Sequence, residues 1–215
     1  MLKMNLVYVH GHFFDENRIK DGSVIVDAGA CYGEMEYFFF EDMKIKPIVY
    51  AIEPAKENLK HIKESAGRLG WQNFNLIERA ICGQGEPEEL PFVEFLDAHG
   101  RCAAWANAAG LHEESAKQRI DMDKIVKYTV PTLPINSIFD YVKEGKIDYL
   151  KVDIEGCERG IFNNIDRFIA DRIDQLSVEI HYGEEINAFA KKIKDLGFNF
   201  VTVCDYEIYA TRIIQ

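Results

Sequence analysis

The chain has 215 residues, 47% of them hydrophobic and 28% charged, with a formal net charge of −11: the composition of one soluble globular domain with enough apolar side chains for a core. That acidic balance argues against nucleic acid or an anionic membrane as a main partner, and no apolar run reaches the ~20 residues needed to span a bilayer. His10, Gly11 and His12 interrupt the apolar start, which lacks a secretory layout, and the five scattered cysteines (Cys31, Cys82, Cys102, Cys157, Cys204), with no C-x-x-C, read as reduced thiols of a cytoplasmic protein and not as a zinc site.

Short β-rich runs alternate with longer helical ones. Residues 23–27 (SVIVD) form a continuous apolar run ending in an acid, as a buried parallel strand does. A helix is predicted over 33–43, a strand over 47–52, and a helix over 55–69 that keeps Leu59 and Ile62 on one face and stops at Gly70. A third strand spans 74–81. The rhythm breaks from 82 to 131, where Gly83, Gly85 and Pro87 mark turns, 93–96 reads as a short strand and 98–126 as loop-like and partly helical. Alternation resumes with helix 135–142, strand 147–152, helix 158–170, strand 175–181 and helix 184–196, and ends in strands over 198–204 and 207–212. The link Asp205-Tyr206 is too short for a crossover, so those two strands are antiparallel neighbours. Seven main strands with helices between them predict a three-layer α/β fold with a mostly parallel sheet and its last strand antiparallel. No repeat or linker divides the chain, which reads as one domain over 1–215 with a variable insertion at about 83–130.

The end of the first predicted strand carries Asp27-Ala28-Gly29-Ala30-Cys31-Tyr32-Gly33. Gly29 allows a tight turn and close approach of a ligand to the backbone, and Gly33 opens the next helix. Glu53 ends the second strand. Both positions fall at the carboxyl ends of adjacent strands, where open α/β sheets bind ligands, and a carboxylate there can accept bonds from ribose hydroxyls. The pattern is D-x-G-x-x-x-G and not the G-x-G-x-x-G of dinucleotide folds. An acid beside the loop repels a phosphate but suits an ammonium group, such as that of S-adenosylmethionine. The plain alternative is a tight turn with Glu53 as a solvated strand end.

On these residues the chain resembles a class I S-adenosylmethionine-dependent methyltransferase, and more specifically the FkbM family. The matching stretches are Val24 to Gly33, Ala51-Ile52-Glu53-Pro54, Glu78-Arg79-Ala80-Ile81, Tyr149-Leu150-Lys151-Val152-Asp153-Ile154-Glu155-Gly156-Cys157-Glu158 and Val178-Glu179-Ile180-His181. The resemblance implies a Rossmann-like sheet and a cofactor site in which Asp27, Gly29, Ala30 and Gly33 line the methionine part. It implies further that Glu53 and Pro54 lie at the ribose, that Glu78, Arg79 and Ala80 lie along the adenine, and that Asp153 borders the cofactor. Thr132-Leu133-Pro134-Ile135-Asn136-Ser137-Ile138 lacks the Asp of the family's T-L-D-S-L, so no role is carried to that segment.

Asp153 and Glu155 are two apart, as are Glu179 and His181, so on extended neighbouring strands all four gather at one edge. Crowded carboxylates must take a proton or be neutralised by a cation, and Lys151 has the parity to supply one. This set is the expected acceptor site, with His181 as the base that takes the acceptor's proton. A divalent metal held by the oxygens and the imidazole is the less favoured use; the structural alternative has Glu155 capping the next helix and His181 as a satisfied strand-end residue. His10, His12, His61, His99 and His112 lack such company and read as surface groups, although His10 and His12 could sit on an N-terminal lid. The expected activity is transfer of a methyl group to a hydroxyl of a small molecule or sugar, with residues 98–126 over the acceptor. A cofactor-binding module without turnover is the alternative, and a nicotinamide oxidoreductase is disfavoured by the glycine spacing.

Overall fold

The structure, a computed structural model, describes residues 4–96, 102–106, 126–181 and 186–212. Leu6–Val9 (β1) and His12–Asp15 (β2) form an antiparallel hairpin turning at His10 and Gly11. Then come Val24–Ala28 (β3), the short helix Glu34–Tyr37 (α1), Ile48–Ile52 (β4), Lys56–Leu69 (α2), Phe74–Ile77 (β5), Ala80–Cys82 (β6), Glu89–Leu96 (β7), Cys102–Ala106 (β8) and Val126–Pro134 (β9). The last elements are Ile147–Val152 (β10), Glu158–Asn164 (α3), Arg167–Ala170 (α4), Ile173–Glu179 (β11), Ile186–Asp195 (α5), Phe200–Cys204 (β12) and Glu207–Thr211 (β13).

Seven strands form one sheet in the order β12-β13-β11-β10-β3-β4-β5. β11, β10, β3, β4 and β5 are parallel, and β13 runs antiparallel to both of its neighbours. The strand order reverses at β3: the chain steps outward through β4 and β5, then returns to lay β10 on the other side. A crevice therefore opens between the carboxyl ends of β3 and β10, where open α/β sheets take ligands.

The continuous apolar runs are explained by cover on both faces. Val24, Val26, Leu150 and Val152 pack with Ile161, Phe162, Phe189 and Ile193 on one side. Ile25, Val49 and Tyr149 pack with Phe14, Met35 and Phe39 on the other. Helices and hairpin thus sandwich the sheet in three layers. Among the described residues, no helix is long and apolar enough to cross a membrane.

Five sequence expectations change in detail. The helix over 33–43 is α1 followed by a π-helical turn, Phe38–Asp42, which buries Phe39 while Phe40 stacks on Trp71. The strand over 74–81 breaks at Glu78 and Arg79: β5 stays in the main sheet, whereas β6 leaves it to pair with β9 in a second sheet of order β6-β9-β7-β8. Residues 135–142 form a 3-10 helix over Ile135–Asp140. The helix over 158–170 is divided into α3 and α4 because Ile165 is extended, and the Asn136 side chain spans the break, bonding the Asn164 carbonyl and the Asp166 amide. Of 98–126, Cys102–Ala106 is a strand, not loop or helix; most of the remaining stretch, including His99 and His112, lies outside the described residues.

The N-terminal hairpin is part of the core. Phe14 is fully buried and meets Phe38, Phe39 and Tyr149 at ring-centroid distances of 5.9, 5.4 and 5.6 Å. Deleting such a ring removes its transfer energy and leaves a cavity. Phe14→Ala is expected to lower the unfolding free energy by about 3–5 kcal/mol in urea titrations; a loss under about 1 kcal/mol, the size expected of a surface change, would show that the hairpin is not packed as described.

Candidate active site

β3 ends at Ala28, and the chain must leave the sheet between two parallel neighbours. Gly29 makes the turn at φ +83°, where a Cβ would lie 1.7 Å from the Asp153 carbonyl oxygen. Only glycine fits such an approach. The Gly29 and Ala30 amides donate to the Ile52 carbonyl at 2.9 and 3.2 Å, and the Asp153 amide donates to Ala28 at 2.9 Å, so the loop is clamped between the ends of β4 and β10. Cys31 is left-handed at φ +50°, which aims its amide at Glu53 Oε2, 2.9 Å away. The Ala55 amide donates to the other Glu53 oxygen at 2.7 Å. Glu53 is 4% exposed, and burial, offset in part by these amides, raises its carboxyl to about 7.

Lys151 stands in register with Asp27 on the neighbouring strand. Its ammonium donates to Asp27 Oδ1 and to the Gly29 carbonyl, both at 2.8 Å, and lies 3.9 Å from Asp153 Oδ2. Burial alone would lower its pKa; the charges of Asp27 and Asp153 outweigh that and hold it above the ordinary lysine value. Beside them lies Glu36, 1% exposed, whose two carboxyl oxygens have no hydrogen-bond partner among the described residues. Burial and then the Asp27 charge push its pKa well up.

A cavity of about 260 Å³ opens over the loop, with His10, Asp27, Gly29, Ala30, Lys151 and Asp153 in its walls. A second hollow of about 210 Å³ shares His10 with it and runs past Tyr32, Gly33 and Trp71. The remaining residues of the expected cofactor site are not among the walls of either hollow. Glu53 sits beneath the loop with Pro54 following it. Glu78 is exposed and pairs with Lys63 at 2.7 Å, Arg79 donates to the Thr132 carbonyl at 3.0 Å, and Ala80 joins a small apolar cluster with Ala55 and Leu90.

On the far side of Asp153 the carboxylates and imidazoles converge. His181 Nε2 lies 3.9 Å from Asp153 Oδ1, 3.6 Å from Glu155 and 3.5 Å from Glu179, while its Nδ1 meets Glu158 at 3.0 Å. All four residues expected together are together, although extended-strand parity is not the reason. β10 ends at Val152, and Glu155 is left-handed at φ +57°, so a turn and not a strand brings its carboxylate back. The helix-side amides of Ile154 and Gly156 go to Glu158, at 3.4 and 3.1 Å. Burial opposes charge on His181, but the Glu158 hydrogen bond and the Glu155 charge raise it to about 9. That shift favours the protonated ring, whereas the base expected from the sequence needs the neutral one.

Sequence reasoning missed two members. Glu158 is 2% exposed and orients His181. His12, expected at the surface, is 1% exposed, with Nδ1 3.2 Å from Glu207 and Nε2 3.4 Å from Asp153. Its spacing from Phe14 on β2 puts the two on one face, and that parity was the available signal. Burial lowers the His12 pKa, but hydrogen bonds to Asp153 and Glu207 more than compensate, and the net shift is upward. Burial likewise opposes charge on Asp153, yet the His12 hydrogen bond and the Lys151 charge bring it down to about 2.

The family model described as the Methyltransferase FkbM domain matches residues 27–200. A curated protein from Beauveria bassiana (strain ARSEF 2860), Methyltransferase 1, is 23% identical over 189 residues, covering 83% of this chain and 74% of that protein. The crystal structure of Methyltransferase FkbM from Methylobacillus flagellatus KT superposes with a TM-score of 0.60 at 17% identity over 92% of this chain; the chain spans only 46% of that longer one. A Streptococcus mutans protein assigned as a methyltransferase, solved with S-adenosylhomocysteine, gives a TM-score of 0.50 at 13% identity over 91% of each chain.

The Glu53 environment has a measurable signature. A carboxyl raised from 4.5 to about 7 by folding lends stability that is fully present below pH 4.5 and is lost as pH rises through 7. Its contribution is about 3 kcal/mol. Urea unfolding of wild type and Glu53→Gln across that window should show the mutant lacking this loss; identical pH slopes would mean that Glu53 does not hold a proton in the folded chain.

Proposed function

Since the chain belongs to the FkbM methyltransferase domain family, we propose that it transfers the methyl group of S-adenosylmethionine to a hydroxyl oxygen of a small molecule or sugar. The observation that carries this reading is the double position of Asp153, which walls the cavity over the glycine loop and also borders the imidazole–carboxylate cluster. Cofactor side and acceptor side thus meet at one residue.

The cavity residues suit the cofactor. Gly29 keeps a backbone cradle that any Cβ would fill, and Asp27 Oδ2 is buried without a hydrogen-bond partner among the described residues. With Glu34 and Asp153, Asp27 makes the cavity anionic, which favours an ammonium and a sulfonium over a phosphate. Asp27, Gly29, Ala30 and Gly33 would hold the methionine part, Glu53 with Pro54 the ribose, and Glu78 to Ala80 the adenine edge. S-adenosylmethionine supplies an already activated methyl carbon, so the protein's task is alignment and the handling of one proton.

On the acceptor side, Asp153, Glu155, Glu179 and His181 surround the place for the hydroxyl. His181, its ring held through Nδ1 by Glu158, orients the acceptor. Glu179, 36% exposed at its side chain and 3.5 Å from His181 Nε2, is the carboxylate placed to receive that proton.

Two measurements test this. S-adenosylhomocysteine at a hundredfold excess over its Kd should stabilise the fold by about 2.7 kcal/mol; calorimetry showing NAD bound and neither sulfur ligand bound would overturn the cofactor assignment. Glu179→Gln should keep S-adenosylhomocysteine affinity and lose roughly 10²–10⁴ in kcat against a panel of hydroxylated acceptors. Full turnover in that variant would remove Glu179 from the proton path.

A further inference from the structure

We propose that Asp153, Glu155 and His181 bind one divalent cation through Oδ1, Oε2 and Nε2. The ligand atoms these residues offer lie within 4.8 Å of one another. Nε2 stands 3.9 Å from Asp153 Oδ1 and 3.6 Å from Glu155 Oε2. Charge-assisted hydrogen bonds close to about 2.7–2.9 Å, so these gaps are too wide for direct pairing. They suit a shared ion. In the octahedral shell of Mg²⁺ or Mn²⁺, bonds of about 2.1 Å place cis donors about 3.0 Å apart, so these side chains close in by less than about 1 Å when the ion binds.

The imidazole is held as a metal ligand is held. Its Nδ1 bonds the buried Glu158 at 3.0 Å, and Glu158 is itself fixed by the Gly156 amide at 3.1 Å. A carboxylate behind one ring nitrogen sets the tautomer and turns the other toward the ion. The charges agree. Asp153 Oδ2 faces His12 and Lys151, whereas Oδ1 faces His181, with Glu155 and Glu179 at 3.6 and 3.5 Å from the same Nε2. A dication there meets three carboxylate groups.

A second grouping, His12, Asp153 and Glu179, also falls within 4.8 Å. There His12 lies between two carboxylates, Glu207 and Asp153, and is 1% exposed, so it is already used as an ion-pair partner. Around His181 the Asp153 and Glu155 side chains remain 28% and 39% exposed, which leaves an open side. One nitrogen among carboxylate oxygens suits Mn²⁺ or Mg²⁺ better than a thiolate-seeking metal. The site stands on geometry; its use rests on the methyl-transfer reading. In that use an acceptor hydroxyl oxygen takes the open position, its O–H bond breaks with the proton passing to Glu179, and the oxygen forms the new bond to the methyl carbon as the carbon–sulfur bond breaks with its electron pair left on sulfur.

Mn²⁺ titration of the full chain, followed by electron paramagnetic resonance, tests the site. One Mn²⁺ per chain is expected, with Glu155→Gln and His181→Gln weakening it at least tenfold, and Glu158→Gln weakening it roughly 10–100-fold as supporting carboxylates do. Spin-echo modulation from one imidazole nitrogen in the wild-type sample makes the same point if a variant fails to fold. Absence of stoichiometric Mn²⁺, equal binding by the folded variants, or no nitrogen modulation would overturn the site. Calorimetry with S-adenosylhomocysteine runs in parallel: binding of that ligand without Mn²⁺ removes the metal and leaves methyl transfer standing, whereas Mn²⁺ without that ligand keeps the site and removes its proposed use.

Discussion

The Lys151 ammonium lies between two parallel strands, 2.8 Å from a carboxylate on one side and 2.8 Å from the Gly29 carbonyl. A charge so placed costs several kcal/mol to desolvate and persists only if its partners are already in position. Those partners are set by register: Lys151 pairs across from Asp27, and a slip of one residue would turn it to the opposite face. The same ammonium grips the loop at Gly29 and faces Asp153. Sheet register, loop shape and the border of the cavity are therefore one constraint.

Around that cation the protein holds more acid than it needs for structure. Glu36 and Oδ2 of Asp27 are buried without partners among the described residues. Buried polar groups left unpaired are uncommon in native folds, and each calls for a cause such as strain, a catalytic role or a bound water or ion. Burial raises the pKa of both Glu36 and Glu53, so these acids hold a proton more tightly than exposed carboxyls do.

The fold was legible because β3 and β4 announce themselves as apolar runs at the ends of which the loop and Glu53 follow, and because Asp205-Tyr206 leaves room only for a hairpin. The loop was legible because Gly29 is needed sterically and Asp27 and Glu53 end adjacent strands. What escaped depended on contacts remote in sequence. The break of 74–81 at Glu78 comes from pairing of Ala80–Cys82 with residues of β9 some fifty positions later. The break at Ile165 comes with Asn136 contacts from another element. His181 looked like a neutral base in sequence, whereas the Glu158 hydrogen bond at its back and the Glu155 charge raise its pKa. The convergence of Asp153 and Glu155 was anticipated on extended-chain parity, yet it is produced by a left-handed turn that no period-two pattern encodes.

The hairpin at the start of the chain has a consequence for the order of assembly. His12 finds Glu207 across 195 residues, and the Asp15 amide finds Gln175 across 160. Contacts of such separation must close a long loop before they return any stability, and they form late for that reason. On a ribosome, β2 is made long before β11 and β13, so its contacts with them wait for those strands. His12 is seated between Asp153 and Glu207 only then, so one border of the crevice between β3 and β10 is completed by strands far apart in the chain.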